Sequence, residues 1–138
     1  MPLLTGKETI LVVDDEFTVL SLTQMILVRA GYDVLVAASG KEALRLFEVW
    51  PDMKPDLMVV DVVMPDMNGP QLVDRIWRMH PELAVLYFSG YSGKEFLWPE
   101  IARKVPYLNK PFTSLQLTTR IREILDRPHT SAASQGSQ

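Results

Sequence analysis

The sequence of 138 residues has no cysteine, so disulfides, thiol nucleophiles and cysteine-ligated zinc are excluded. It has only two histidines, His80 and His129. Neither has a second histidine at ligand spacing, and both read as structural or exposed. Long hydrophobic runs are missing: the longest has six residues, too short to cross a bilayer. Met1 to Lys7 lack a charged start followed by an apolar core, so no secretory signal is visible. There is no basic excess; the formal net charge is −3, and no nucleic-acid surface is indicated. Internal repeats are absent. What is present is an ordinary globular balance, with 47% apolar and 22% charged residues. This length fills one compact domain and not two. A cytoplasmic domain free of membrane and nucleic acid is expected.

Five short apolar runs alternate with helical patterns. The runs are Ile10 to Val13, Val34 to Ala38, Leu57 to Val60, Ala84 to Phe88 and a weaker one at Tyr107–Leu108. Strands of parallel sheets are covered on both faces, so they read as continuous β-branched runs. Between them apolar residues recur at three and four positions. Val19, Leu22, Ile26 and Ala30 form one stripe, which Gly31 can close in the left-handed conformation. Ser39 and Glu42 have the capping-box spacing ahead of Ala43, Leu44, Phe47 and Trp50. Pro70 suits a first helical turn before Leu72, Val73, Ile76 and Trp77, and Pro81 marks the stop. Thr113 and Gln116 repeat the capping spacing before Leu117, Ile121, Ile124 and Leu125. Alternation of this kind predicts a doubly wound α/β fold, a five-stranded parallel sheet with helices on both faces. The expected domain covers 8–126, after a lead-in of 1–7. The stretch 127–138 is rich in Ser, Ala and Gln and reads as a flexible tail or linker. Tyr91 to Pro106 is irregular, with Pro99 starting a short helix over Glu100 to Lys104.

Ligands on such sheets bind beyond the carboxyl ends of the strands. The first strand there ends in Asp14-Asp15-Glu16, the third in Asp61, the fourth in Ser89-Gly90, and Lys110-Pro111 follows the fifth. Two carboxylates about 5 Å apart repel by about 3 kcal/mol at an effective dielectric of about 20. Three together need a cation. Lys110 supplies one charge, and a hard divalent ion bound through oxygen, Mg²⁺ by preference, supplies the rest. Carboxylate, hydroxyl and lysine also suit phosphoryl transfer. One carboxylate attacks phosphorus, cations neutralise the equatorial oxygens, and a hydroxyl donates to one of them.

The residues Val12-Val13-Asp14-Asp15-Glu16, Val60 to Gly69, Phe88-Ser89-Gly90-Tyr91 and Tyr107 to Phe112 resemble the receiver domains of two-component response regulators. These four ordered motifs cover 8 to 126. The resemblance implies a flavodoxin-like sheet of strand order 2-1-3-4-5, the order of chemotaxis receivers. It implies that Asp61 is the phosphoacceptor, taking a phosphoryl group from a histidine kinase or histidine phosphotransfer domain to give an aspartyl phosphate. Asp14, Asp15, Asp61 and the backbone carbonyl of Val63 would hold Mg²⁺. Ser89 and Lys110 would meet the phosphoryl oxygens. Tyr107 would be the switching aromatic, turning inward as Ser89 moves. Gly90 leaves room beside the acceptor, and the Lys110–Pro111 peptide is expected to be cis. Such a module is a switch, acting on a downstream protein or through a homodimer, and catalyses only its own phosphorylation and dephosphorylation.

Two features depart from the commonest receiver pattern. Val63 and Tyr91 stand where polar residues often help orient an attacking water, so a long-lived phosphorylated form is expected. Lys94 to Pro106 lacks the regular helix usual before the last strand, which predicts a non-standard signalling face. The wording of the Ser89 and Lys110 motifs is similar to receivers at the C-termini of hybrid sensor kinases, so an excised relay module is a second expectation. Among other classes, an aspartate-nucleophile phosphatase would need an acid at position 63, where valine stands. A flavin or nucleotide site would need an anion cradle after the first strand, where Asp14-Asp15-Glu16 would repel phosphate. Glu16 reads as a helix-start acid. Asp66, Asn68 and Gly69 shape the next loop, with Gly69 expected to permit an unusual backbone angle.

Overall fold

Continuous apolar runs become buried strands here because both sides of the sheet are covered. The computed structural model describes residues 4–90 and 105–127. Its strands are β1 (Thr9–Val13), β2 (Asp33–Ala37), β3 (Leu57–Asp61), β4 (Ala84–Ser89) and β5 (Tyr107–Asn109). All pair in parallel, in the order β2-β1-β3-β4-β5. Four helices are described: α1 (Phe17–Arg29), α2 (Gly40–Val49), α3 (Gly69–Met79) and α4 (Ser114–Leu125). None is long and apolar enough to cross a membrane.

Side chains alternate across each strand, and that alternation divides the core in two. Leu11, Val13, Met58, Val60, Val85 and Tyr87 pack with Ala43, Phe47, Leu72 and Ile76 of α2 and α3. Ile10, Val12, Leu57, Val59, Leu86 and Phe88 pack with Leu20, Ile26, Leu27, Leu117 and Ile121 of α1 and α4. Burying one such Leu or Ile contributes about 1.5–3 kcal/mol. The helices start where their caps allow. Ser39 Oγ accepts from Glu42 N at 3.1 Å. Thr113 and Gln116 close a reciprocal capping box.

Several sequence expectations need correction. The strands extend past their apolar runs, and Asp61, Ser89 and Asn109 are still paired in register. Strand β2 begins at Asp33 and ends at Ala37, because Asp33 pairs with Thr9 and Ala37 with Val13. Helix α1 buries Leu20, Thr23, Ile26 and Leu27, while Leu22 is exposed. That helix is apolar nearly all round, so spacing alone could not choose its inward face. Trp50 follows α2 and is exposed. The start of α3 carries a second capping box, Asn68 with Gln71. Gly31 does take the left-handed angle, with φ of 101°. A Cβ there would also lie 2.6 Å from the Gly6 carbonyl oxygen. Gly69 has no positive φ. It is needed because a Cβ would stand 2.6 Å from the Asp61 carbonyl oxygen.

The lead-in runs alongside the domain. Gly6 N donates to Ala30 O at 3.0 Å, and Arg122 grips Glu8 through two nitrogens at 2.8 and 3.0 Å. The expectations for Tyr91, the Pro99 helix and the tail beyond Arg127 lie outside the described residues.

Candidate functional site

Strands β1, β3 and β4 are neighbours, so their carboxyl ends deliver side chains to one place. Asp14 follows β1 and is fully buried, and Asp61 ends β3 at 5% exposure. Asp15 is exposed beside them. A carboxylate oxygen from each of these three lies within 4.8 Å of the others. Lys110 arrives from the far end of β5. Its backbone N–H donates to Ser89 O at 2.8 Å, and its peptide to Pro111 is cis. The Lys110 ammonium stands 2.9 Å from Asp14 Oδ2, 2.9 Å from Glu16 Oε1 and 3.4 Å from Asp61 Oδ2.

Charge and burial pull against each other here. Burial pushes the Asp61 carboxyl up, Asp14 pushes it further, and Lys110 opposes both; the result is about 7. Burial likewise raises Asp14, against the N–H of Glu16 and the ammonium of Lys110. Burial works against a charged Lys110, but its hydrogen bonds to Asp14 and Glu16 and the nearby Asp61 charge outweigh it. The lysine therefore stays protonated. One ammonium is too little for this cluster. The Asp14 Oδ1 atom accepts from Glu16 N at 2.9 Å. Its Oδ2 atom is buried and has the Lys110 ammonium beside it at 2.9 Å. Three clustered carboxylates served by a single ammonium fit a small, hard, oxygen-seeking cation.

The other sequence-chosen residues lie around this centre. Ser89 ends β4, is fully buried, and donates through Oγ to Gly90 O at 3.3 Å. The side chain of Val63 is exposed, and its N–H makes a long hydrogen bond of 3.4 Å to Asp61 Oδ1. Gly69 N donates to Val62 O at 2.8 Å, which closes the loop after β3. Tyr107 is 39% exposed and pairs with Tyr87, two register positions back from the Ser89–Asn109 pair.

Two residues named in the sequence have partners that the sequence did not indicate. Glu16 does stand at the N-cap of α1, but its side chain makes no cap bond and pairs with Lys110. Asp66 accepts from Gly40 N at 3.3 Å and Lys41 N at 2.9 Å, tying the loop after β3 to the start of α2. Burial opposes the charge of Asp66, but these and neighbouring N–H groups hold its carboxyl below the usual range. Neither pairing has a local signal. Glu16 and Lys110 are 94 residues apart, and Asp66 reaches back 25 and 26.

Fold and site together define a doubly wound α/β domain with a buried acidic pocket, crossed by one lysine, at the carboxyl edge of its sheet. Residues 10–122 match the family described as Response regulator receiver domain. The chain belongs to that family of two-component signalling proteins. It is 38% identical over 130 residues to Sensor kinase CckA of Brucella abortus (strain 2308), a match covering 90% of this chain and 13% of that protein. It is 35% identical over 131 residues to the alkaline phosphatase synthesis transcriptional regulatory protein PhoP of Bacillus subtilis (strain 168), covering 93% of this chain and 52% of that one. The chain thus spans a small part of the first relative and about half of the second. Among solved structures it is similar to a response regulator receiver domain protein from Clostridium thermocellum. There the TM-score is 0.75 and the identity 30%, with 87% of this chain and 95% of that one covered.

Proposed function

We propose that this domain is a phosphoacceptor switch in which Asp61 takes a phosphoryl group from a phosphohistidine. The observation that carries this reading is the buried Asp14/Asp61 pair joined to Lys110, with Asp15 at its mouth. An Asp61 oxygen forms the new bond to phosphorus. The phosphorus–nitrogen bond to the donor imidazole breaks, and that nitrogen keeps the electron pair and recovers a proton. Lys110 balances charge on the phosphoryl oxygens, and the Ser89 hydroxyl leaves Gly90 O to donate to one of them. Asp14, Asp15 and Asp61, with the Val63 carbonyl, would hold Mg²⁺. Bound there, the ion supplies positive charge that keeps Asp61 ionised and offsets the incoming phosphoryl charge. Tyr107 would turn inward as Ser89 moves and so alter the exposed edge beside β5. The lead-in, the domain over 8–126 and the tail are assigned as the sequence suggests.

The donor is a histidine kinase or histidine phosphotransfer domain. Helix α1 begins beside the pocket and exposes Phe17, Leu22, Met25 and Val28, and Val63 is exposed on the adjoining loop. An apolar face next to a buried nucleophile suits a partner that must exclude water during transfer. The likeness to a sensor kinase supports, as a second reading, a relay module of a larger kinase, beside the likeness to transcriptional regulatory proteins. The test is incubation with Mg²⁺ and a small phosphodonor, read by intact mass. The wild type gains one phosphoryl group and Asp61→Asn gains none. Equal labelling of both would refute the assignment of Asp61.

A further inference from the structure

We infer that Glu16 is a positioning residue: it tethers the Lys110 ammonium away from Asp61 and releases it when a phosphoryl group arrives. This rests on the phosphoacceptor reading of Asp61. Lys110 has three acidic neighbours, and they are unequal. Glu16 Oε1 and Asp14 Oδ2 are both at 2.9 Å, whereas Asp61 Oδ2 is at 3.4 Å. Of the closer two, Asp14 is fully buried at the carboxylate cluster. The Glu16 side chain is 59% exposed. Its backbone carries the helix junction, with N–H to Asp14 Oδ1 at 2.9 Å and C=O from Leu20 N at 2.9 Å. The carboxylate is therefore free of any capping duty.

The lysine is built to swing from a fixed base. Its backbone is pinned to Ser89 O, so only the flexible stem above that point moves. A phosphoryl group on Asp61 draws the ammonium toward the acceptor. Before it can close on the phosphoryl oxygens, it must leave a neighbour. Separating it from Glu16 is easiest, because water replaces that contact at an exposed carboxylate. The tether then acts as a brake. It weakens Lys110's hold on Asp61 in the resting state and opposes the phosphorylated one.

The test uses beryllofluoride as the phosphoryl mimic, titrated at saturating Mg²⁺ and followed by fluorine NMR on the full chain. Glu16→Gln removes the charge. Glu16→Asp keeps the charge but is one methylene too short to hold the ammonium at 2.9 Å. Both variants are expected to bind the mimic about two- to fivefold more tightly than wild type, the range of an exposed ion pair. In high salt the wild type approaches the variants, since screening weakens the tether. Tightening in Glu16→Gln alone would mean a general field effect and would overturn the tether. Unchanged or weaker binding in both would overturn it too, with Asp61 still standing as acceptor. Wild type that binds no mimic, as Asp61→Asn is expected to behave, would remove the acceptor reading and the tether with it.

Discussion

Replacing Asp61 by asparagine removes one negative charge from a buried pair and keeps nearly the same shape. Asp61 is shifted from an ordinary 3.8 to about 7, by burial first and then by the Asp14 charge. The folded state therefore holds the proton more tightly than the unfolded chain does. Unfolding releases that proton between pH 3.8 and about 7, so stability falls as pH rises through this window. Below it, Asp61 is protonated in both states and costs nothing. Above it, the full penalty applies. About three decades of proton affinity at about 1.4 kcal/mol each set a ceiling of about 4 kcal/mol. Two effects reduce it. Lys110 loses a neighbour at 3.4 Å when Asp61 goes, and the pocket mouth admits water near Asp15. A gain of about 1–2 kcal/mol is expected for the metal-free variant, or about 4–8 °C in Tm for a domain of this size.

The assay is urea and thermal unfolding of wild type and Asp61→Asn in chelator, at pH 8 and pH 4.5. The variant is expected to be more stable at pH 8. At pH 4.5 only about a quarter of the penalty has developed, so most of the gain disappears. Saturating Mg²⁺ is expected to narrow or reverse the difference, because wild type gains the binding free energy and the variant gains less. A variant no more stable than wild type in chelator at pH 8 would refute the charge reasoning. So would a gain of equal size at both pH values, which would point to packing.

Other perturbations probe the surroundings of the cluster. Val63→Asn places a water-orienting amide beside Asp61 and is expected to shorten the aspartyl-phosphate lifetime severalfold; an unchanged or longer decay time, followed by intact mass, would exclude that role for Val63. Gly69→Ala brings a Cβ 2.6 Å from the Asp61 carbonyl oxygen and 3.1 Å from Val62 Cα. It is expected to cost about 1–3 kcal/mol and to slow phosphorylation, and a wild-type urea midpoint would contradict the close-contact reading. Asp66→Ala frees the N–H groups of Gly40 and Lys41 and is expected to cost about 1 kcal/mol near neutral pH. Because the folded Asp66 carboxyl is lowered, that stabilisation is present above about pH 4 and lost as pH falls further. A difference between Asp66→Ala and wild type that persists undiminished at pH 3 would argue against it.

What the sequence revealed and what it hid follow from the range of the forces involved. The strands were legible because a doubly covered parallel sheet leaves little choice at Ile10 to Val13 or Leu57 to Val60: every side chain there is buried. The acids and lysine were legible because charged groups next to such strands stand out against an apolar run. The inward face of α1 was hidden because Leu22, Met25 and Val28 are as apolar as Leu20 and Leu27, yet the first three face outward. Hydrophobicity alone cannot distinguish a core face from an exposed apolar one. The capping box of Asn68 and Gln71 has a readable spacing, but Gly69-Pro70 between them suits a turn as well as a first helical turn. Glu16 shows the firmer limit. Asp14, Asp15 and Glu16 are three adjacent acids of equal formal charge, and the turn into α1 sends them to different places: one buried, one at the mouth, one clasping a lysine 94 residues away. Local chemistry names the members of such a cluster. Only the packing of β5 beside β4, which positions Lys110 against Ser89, decides which acid the lysine holds and therefore which one it must release.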